Sequence, residues 1–178
     1  MSQRWDELLR RDHEVIERVF AAMEAGFARS GGPSEDQVGL LVEFLGGYAD
    51  RCHNQKEEQH LFPLLEARGV PRHGGPLAVM LQEHERAQAL LARLVPAGEV
   101  YARGDRSALP ELRETFDEYA ALCKDHYWKE NDILYPLALR VLDDADAAAV
   151  VRGIEAVEAS LGPDTRSRYY RMAESIIA

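Results

Sequence analysis

Apolar residues recur every three or four positions along four long stretches of the chain, and glycine and proline fence each stretch. That period belongs to amphipathic helices. The first stretch runs from about Gln3 to Ala28, with Leu9, Ile16, Phe20, Met23 and Phe27 in one stripe, and ends at Ser30-Gly31-Gly32-Pro33. The second opens on Pro33 or Ser34 and places Glu35 and Asp36 in its first turn, where negative charge suits the helix dipole. It carries Leu41, Leu45, Ala49, Leu61 and Leu64, and stops in Arg68-Gly69-Val70-Pro71. The third runs from about Pro76 to Ala102 and the fourth from about Ser107 to Leu142. Two shorter helices follow, one from Asp146 to Leu161 and another after Gly162-Pro163. No stretch alternates with period two for long enough to make a strand. The expected fold is all-α. Short connections between long helices favour antiparallel neighbours, hence an up-down four-helix bundle over residues 1–144. Residues 145–178 form a C-terminal helical extension, packed on the bundle or in an oligomer contact.

Composition narrows the class. A chain of 178 residues suits one well-buried core rather than two domains. The formal net charge of −10 argues against nucleic acid or an anionic membrane as partner. No apolar run approaches the roughly 18 residues of a membrane span. The N-terminal MSQRWDELLRRDHEVIE lacks the apolar core of a secretory signal. Cys52 and Cys123 are too few and too far apart for a disulfide framework or a zinc motif. A cytoplasmic monomer or homodimer is expected.

An internal repeat carries the candidate chemistry. His53-Asn54-Gln55-Lys56-Glu57 leads to Leu61-Phe62-Pro63, and His126-Tyr127-Trp128-Lys129-Glu130 leads to Leu134-Tyr135-Pro136. Both read H-x-x-K-E-x-x-x-L-[FY]-P. A weaker pairing relates Asp12-His13-Glu14 to Glu83-His84-Glu85. The first helical hairpin therefore repeats as the second, which places matching residues about a pseudo-twofold axis. His and Glu four apart share one helix face. On the fourth helix that face reads Leu112, Phe116, Tyr119, Leu122, His126, Glu130, Ile133, Leu137, apolar except at the two positions in question. His13 shares a side with Leu9, Ile16 and Phe20, and His84 with Leu77, Met80 or Leu81, and Leu91. Each long helix thus sends one imidazole into the core, and two add a carboxylate.

Two carboxylates in one core demand compensating positive charge. Lys56 and Lys129 sit about 100° around the helix from the glutamates and are expected to face outward. Metal cations supply the charge instead. Imidazole and carboxylate without thiolate suit iron, manganese or zinc. Four histidines and two glutamates suffice for two ions if both glutamates bridge, with room for an oxide or hydroxide bridge and an exogenous ligand. The expected ligands are His13, His53, Glu57, His84, His126 and Glu130. His60 is expected in a structural or supporting role, His73 in an exposed loop, and Cys123 and Tyr119 in the core. Pro63 and Pro136 each remove a backbone hydrogen bond and predict a kink or helix end just past the metal layer.

These residues make the chain resemble the hemerythrin-like, or HHE cation-binding, family, over about residues 5 to 140. The resemblance implies a four-helix bundle with a non-haem di-iron centre, in which Glu57 and Glu130 bridge the irons and the four histidines are terminal ligands. Oxygen-carrying members place a second histidine one turn after the third-helix histidine, where this chain has Gln88, and an aspartate five residues after the last histidine, where Glu130 follows His126 by four. The ligand set looks more like the bacterial iron-repair proteins and iron-sensing domains. The cysteine-bearing N-terminal domain common in the repair proteins is not expected, as His13 lies almost at the start. The expected function is binding of, or response to, oxygen, nitric oxide, peroxide or iron itself. The alternatives are a di-iron oxidoreductase that consumes peroxide or acts in iron or nitrosative-stress repair, and a structural bundle that holds zinc or nothing.

Overall fold

A computed structural model describes residues 4–178, all helix and connecting turns, with no strand among them. Helix α1 spans Trp5–Ala28; its expected start at Gln3 lies outside the described residues. Helix α2 covers residues 35–67 in four consecutive segments, α-helical at Glu35–Phe44, π-helical at Leu45–Asn54 and Glu57–Leu61, and α-helical again at Phe62–Ala67. Helix α3 is Pro76–Ala102. Helix α4 covers residues 109–141, with a π-helical turn at Glu130–Leu134. The extension supplies α5, Asp144–Ser160, and α6, Thr165–Ile177. No described helix is long and apolar enough to cross a membrane.

Local chemistry sets the ends. Ser34 closes a capping box with Gln37 at the start of α2, and Asp143 closes one with Asp146 at the start of α5. Gly69 and Gly104, both at positive φ, carry the chain out of α2 and α3, a conformation open to glycine without a Cβ penalty.

The prolines of the repeat neither end nor break their helices. A π turn precedes each: the Phe62 amide bonds to the Glu57 carbonyl and the Tyr135 amide to the Glu130 carbonyl, five residues back. This widened step re-phases the helical turns beyond it. Ile133, expected inward, is 44% exposed, and Leu134 is fully buried in its place.

The apolar interior falls into two clusters. One contains Ile16, Phe20, Phe44, Leu94 and Phe116, and the other Leu9, Leu65, Leu77, Leu134 and Ile154. Along each long helix, one cluster gives way to the other at the histidine or His/Glu positions. The polar residues therefore form a layer between two apolar halves.

The extension closes on the bundle through small residues. Helix α5 lies beside the second π turn of α2, and α6 beside α1 and α2. A Cβ on Gly153 of α5 would stand 2.2 Å from the His60 ring, and one on Gly47 of α2 would stand 2.1 Å from the Tyr169 hydroxyl. Both approaches are too close for any side chain. Gly153→Ala is expected to destabilise the full chain by about 1–3 kcal/mol through overpacking, read as a lower denaturant midpoint with unchanged helical content. An unchanged midpoint would mean that α5 does not dock this closely.

Candidate metal centre

The six residues singled out by the repeat meet in the polar layer, all nearly inaccessible to solvent. His13, His53, Glu57 and Glu130 bring ligand atoms within 4.8 Å of one another, and so do Glu57, His84, His126 and Glu130. The imidazoles converge in pairs through their Nε2 atoms, His13 with His53 at 2.9 Å and His84 with His126 at 3.0 Å. Glu130 lies between the pairs, Oε2 3.2 Å from His13 Nε2 and Oε1 3.2 Å from His126 Nε2. Glu57 Oε2 likewise lies 3.7 Å from His53 Nε2 and 3.6 Å from His84 Nε2.

Behind each imidazole a side chain accepts a hydrogen bond from Nδ1. Asp12 Oδ2 serves His53 at 3.4 Å and Glu83 Oε2 serves His126 at 3.0 Å. Asn131 Oδ1 serves His13 at 3.1 Å and Glu58 Oε1 serves His84 at 2.6 Å. The pattern follows the repeat: the residue before the first-helix histidine supports its own hairpin, and the residue after each glutamate supports the other. A proton on every Nδ1 leaves every Nε2 lone pair aimed inward, the tautomer that a metal ligand needs.

The aromatic of each L-[FY]-P also crosses to the opposite hairpin. The Phe62 ring stacks on His84 at 5.7 Å and the Tyr135 ring on His13 at 5.8 Å. The Tyr135 hydroxyl donates to Glu57 Oε1 at 2.5 Å.

The electrostatics are those of a site built for cations. Glu57 Oε2 and both oxygens of Glu130 are buried without any hydrogen-bond partner, a costly condition for a carboxylate unless a cation sits beside it. Burial, then the Glu130 charge, push the Glu57 carboxyl well above its usual range. Burial acts on Glu130 in the same direction, yet the adjacent His126 and His13 hold it well below. Burial, reinforced by His13, lowers His53 to about 4. His126 rises to about 9, because Glu130 and Glu83 outweigh its burial. The donor spacing fits a metal as well. Two bonds of about 2.1 Å at about 90° put their donors about 3.0 Å apart, and at a tetrahedral angle about 3.4 Å. Both imidazole pairs match the first value.

Lys56 departs from expectation. Instead of facing outward it is buried, its Nζ 2.7 Å from Asp12 Oδ2 and 2.8 Å from Glu158 Oε1 of α5. The extension covers this face of α2 and supplies a carboxylate that α1–α4 alone would not have. Arg166 of α6 in turn bonds Glu158 at 2.9 Å. Asp12 also accepts from the Tyr48 hydroxyl at 2.5 Å. Burial raises the Asp12 carboxyl, but Lys56 and His53 together hold it far below its usual range. Lys129 reaches Glu83 and Asp125 with a quarter of its side chain still in solvent.

His60 faces Gly153 outside both ligand clusters, and His73 is exposed. Gln88 is exposed and bonds Asp50 at 3.2 Å, so no further donor comes from that turn. Tyr119 and Cys123 lie in the core beside His126, and burial pushes the Cys123 thiol up to about 12. The sequence pattern does not single out Asp12, Glu83, Glu58 and Asn131 as supports, although the acidic residue before each first-helix histidine is a legible half of the signal.

An all-helical chain with two overlapping His/Glu clusters, each able to hold a metal ion, defines a helical metal-binding class. Residues 6–108 match the hemerythrin HHE cation-binding domain, and the chain belongs to that family. The match takes in His13, His53, Glu57 and His84 and ends before α4, while the repeat and the geometry together bring His126 and Glu130 to the cluster. Uncharacterized proteins of Mycobacterium tuberculosis and Mycobacterium bovis are each 27% identical over 137 residues, 75% of this chain and 52% of theirs. The iron-sulfur cluster repair protein DnrN of Neisseria gonorrhoeae is 38% identical over 94 residues, 51% of this chain and 57% of that protein. The chain spans about half the length of these curated relatives. No solved structure matches.

Proposed function

We propose that residues 1–144 form an up-down four-helix bundle that holds two iron ions, and that this centre binds or responds to a small ligand such as oxygen, nitric oxide or peroxide. The alternation of the two apolar clusters from helix to helix supports antiparallel neighbours. One observation carries the metal reading: three partnerless carboxylate oxygens buried between two converging imidazole pairs. His13 and His53 would hold one ion and His84 and His126 the other, with Glu57 and Glu130 between them. Six protein side chains would leave coordination positions open on two ions, which would supply the redox and ligand chemistry. Imidazole and carboxylate donors without thiolate suit iron. The chain's own residues orient the imidazoles, keep every Nδ1 protonated and exclude bulk water. Buried, unpaired Cys52 and Cys123 suit a reducing cytoplasm.

Likeness to the gonococcal repair protein favours a second reading, in which the same centre serves iron-sulfur cluster repair under nitrosative stress. The test of the first is anaerobic reconstitution with ferrous iron, elemental analysis, then exposure to oxygen, nitric oxide and peroxide under absorption spectroscopy. About two irons per chain with an oxo-bridged visible spectrum is the expected result. Iron well below one per chain, with zinc retained, would overturn it. Restored activity of a damaged iron-sulfur enzyme on adding the loaded protein would select the repair reading.

A further inference from the structure

The repeat that relates the two hairpins does not extend to what surrounds them. On the first hairpin three donors enclose Asp12. The Tyr48 hydroxyl donates to Oδ1 at 2.5 Å, while Lys56 Nζ and His53 Nδ1 share Oδ2, at 2.7 and 3.4 Å. On the second hairpin the counterpart of Tyr48, five residues before His126, is Ala121, which is exposed and has no side-chain donor. Lys129, the counterpart of Lys56, finds its second carboxylate on its own helix, in Asp125 at 2.6 Å, with a side chain 60% exposed. Lys56 finds it on the extension instead, in Glu158, with a side chain 15% exposed.

An ammonium and an imidazole thus draw on one carboxylate oxygen, and the ammonium is the nearer and stronger donor. Of the four Nδ1 contacts behind the imidazoles, that of His53 is the longest, so a stronger pull on Asp12 would break it first. Glu158 takes a share of the ammonium, its Oε1 2.8 Å from Lys56 Nζ. Arg166 of α6 fixes Glu158 in turn, donating from Nε and Nη2 at 3.1 and 2.9 Å. Without Glu158, Lys56 would keep Asp12 as its one carboxylate. The same helix closes over Tyr48, with the Tyr169 and Tyr170 rings 5.3 and 6.2 Å from it. Behind His126 the acceptor is Glu83, whose side-chain hydrogen bonds come from His126 and Lys129, both on α4.

Resting on the two-ion reading above, we propose that Glu158 is a positioning residue for His53: it holds the Lys56 ammonium back from Asp12, so that Asp12 keeps its hydrogen bond to His53 Nδ1. The ion at His13/His53 then depends on the C-terminal extension, and the ion at His84/His126 does not. A ligand imidazole owes its tautomer and ring orientation to the acceptor behind Nδ1, and loss of such an acceptor costs about 10–100-fold in metal affinity. Glu158 acts at one remove, through Lys56 and Asp12, so a factor of about ten is expected.

The test isolates each half-site in the full chain. His84→Ala leaves the His13/His53 half and His13→Ala leaves the His84/His126 half, and each is titrated with cobalt(II), whose visible bands report binding. Adding Glu158→Gln should weaken cobalt binding about tenfold in the first background and by less than about twofold in the second. Glu158→Asp, which keeps the charge, should restore most of the loss. Equal weakening in both backgrounds, or none in either, would overturn the proposal, since a general loss of stability moves both halves alike. A second readout needs no metal. In the metal-free chain at neutral pH, nitrogen-15 NMR should find the His53 proton on Nδ1 in wild type. In Glu158→Gln it should be divided between the two ring nitrogens, with the His126 signals unchanged. An unchanged His53 tautomer would likewise overturn the proposal. Failure of wild type and both backgrounds to bind cobalt would refute the two-ion reading, with the His53 tautomer still deciding the part played by Glu158.

Discussion

Glu130→Ala is expected to strip both ions of the proposed centre, whereas His84→Ala should remove only one. The difference follows from where each side chain stands. Glu130 sends Oε2 to within 3.2 Å of His13 Nε2 and Oε1 to within 3.2 Å of His126 Nε2, so it faces both imidazole pairs at once. Its loss would take an anionic donor from each ion of the proposed centre, and would leave Glu57 as the one carboxylate in the two ligand clusters. His84 belongs to one imidazole pair alone, its Nε2 3.0 Å from His126 Nε2. After identical reconstitution, elemental analysis should give about two ions per chain for wild type, about one for His84→Ala and well below one for Glu130→Ala. Helical circular dichroism must be intact in all three for the comparison to stand. Equal stoichiometry in the two variants would remove the shared-carboxylate arrangement. Retention of both ions by Glu130→Ala would remove the proposed centre altogether.

The part of this centre that sequence revealed is the part written in local periodicity. His53 and Glu57, or His126 and Glu130, are one turn apart on an apolar stripe, and the register of the two copies marks them without knowledge of the fold. His13 and His84 follow because the stripe around each is apolar. The supporting shell was less legible, because its contacts join hairpins. Asn131 reaches His13 and Glu58 reaches His84 across more than twenty residues of chain, and neither lies on a face that helical spacing alone marks as inward. Ile133 went astray for a different reason: the π turn begun by Glu130 moves the stripe on by one residue, and a uniform 3.6-residue period has no place for that. Lys56 went astray because its environment is set by Glu158, a hundred residues away in a segment whose packing the pattern left open. Such errors fall where tertiary contact overrides local rule.

Lys56→Met is expected to cost the metal-free chain about 3–5 kcal/mol, the usual range for removing one partner of a buried ion pair. Asp12 would then keep its charge in the interior with only the Tyr48 hydroxyl and His53 beside it, and Glu158 would lose a cation as well. For a chain of this length the loss corresponds to a melting temperature lower by about 10 °C. Lys129→Met is the internal control, since it occupies the same place in the other repeat. Its side chain remains a quarter exposed and one of its partners, Asp125, is open to solvent, so its loss should cost about 1 kcal/mol or less. The pH dependence carries a definite sign. The Asp12 carboxyl is depressed in the folded chain, so its pairing contributes fully above the ordinary value of 3.8 and is lost as the pH falls below it. The gap between wild type and Lys56→Met should therefore narrow on acidification below about pH 4. Adding Asp12→Asn to Lys56→Met should recover part of the lost stability, because the stranded charge is then gone. Equal penalties for Lys56→Met and Lys129→Met would mean that the extension does not enclose this pair. In that case Glu158 and Arg166 would be surface charges, and the link from the C-terminal helices to His53 would have no energetic content.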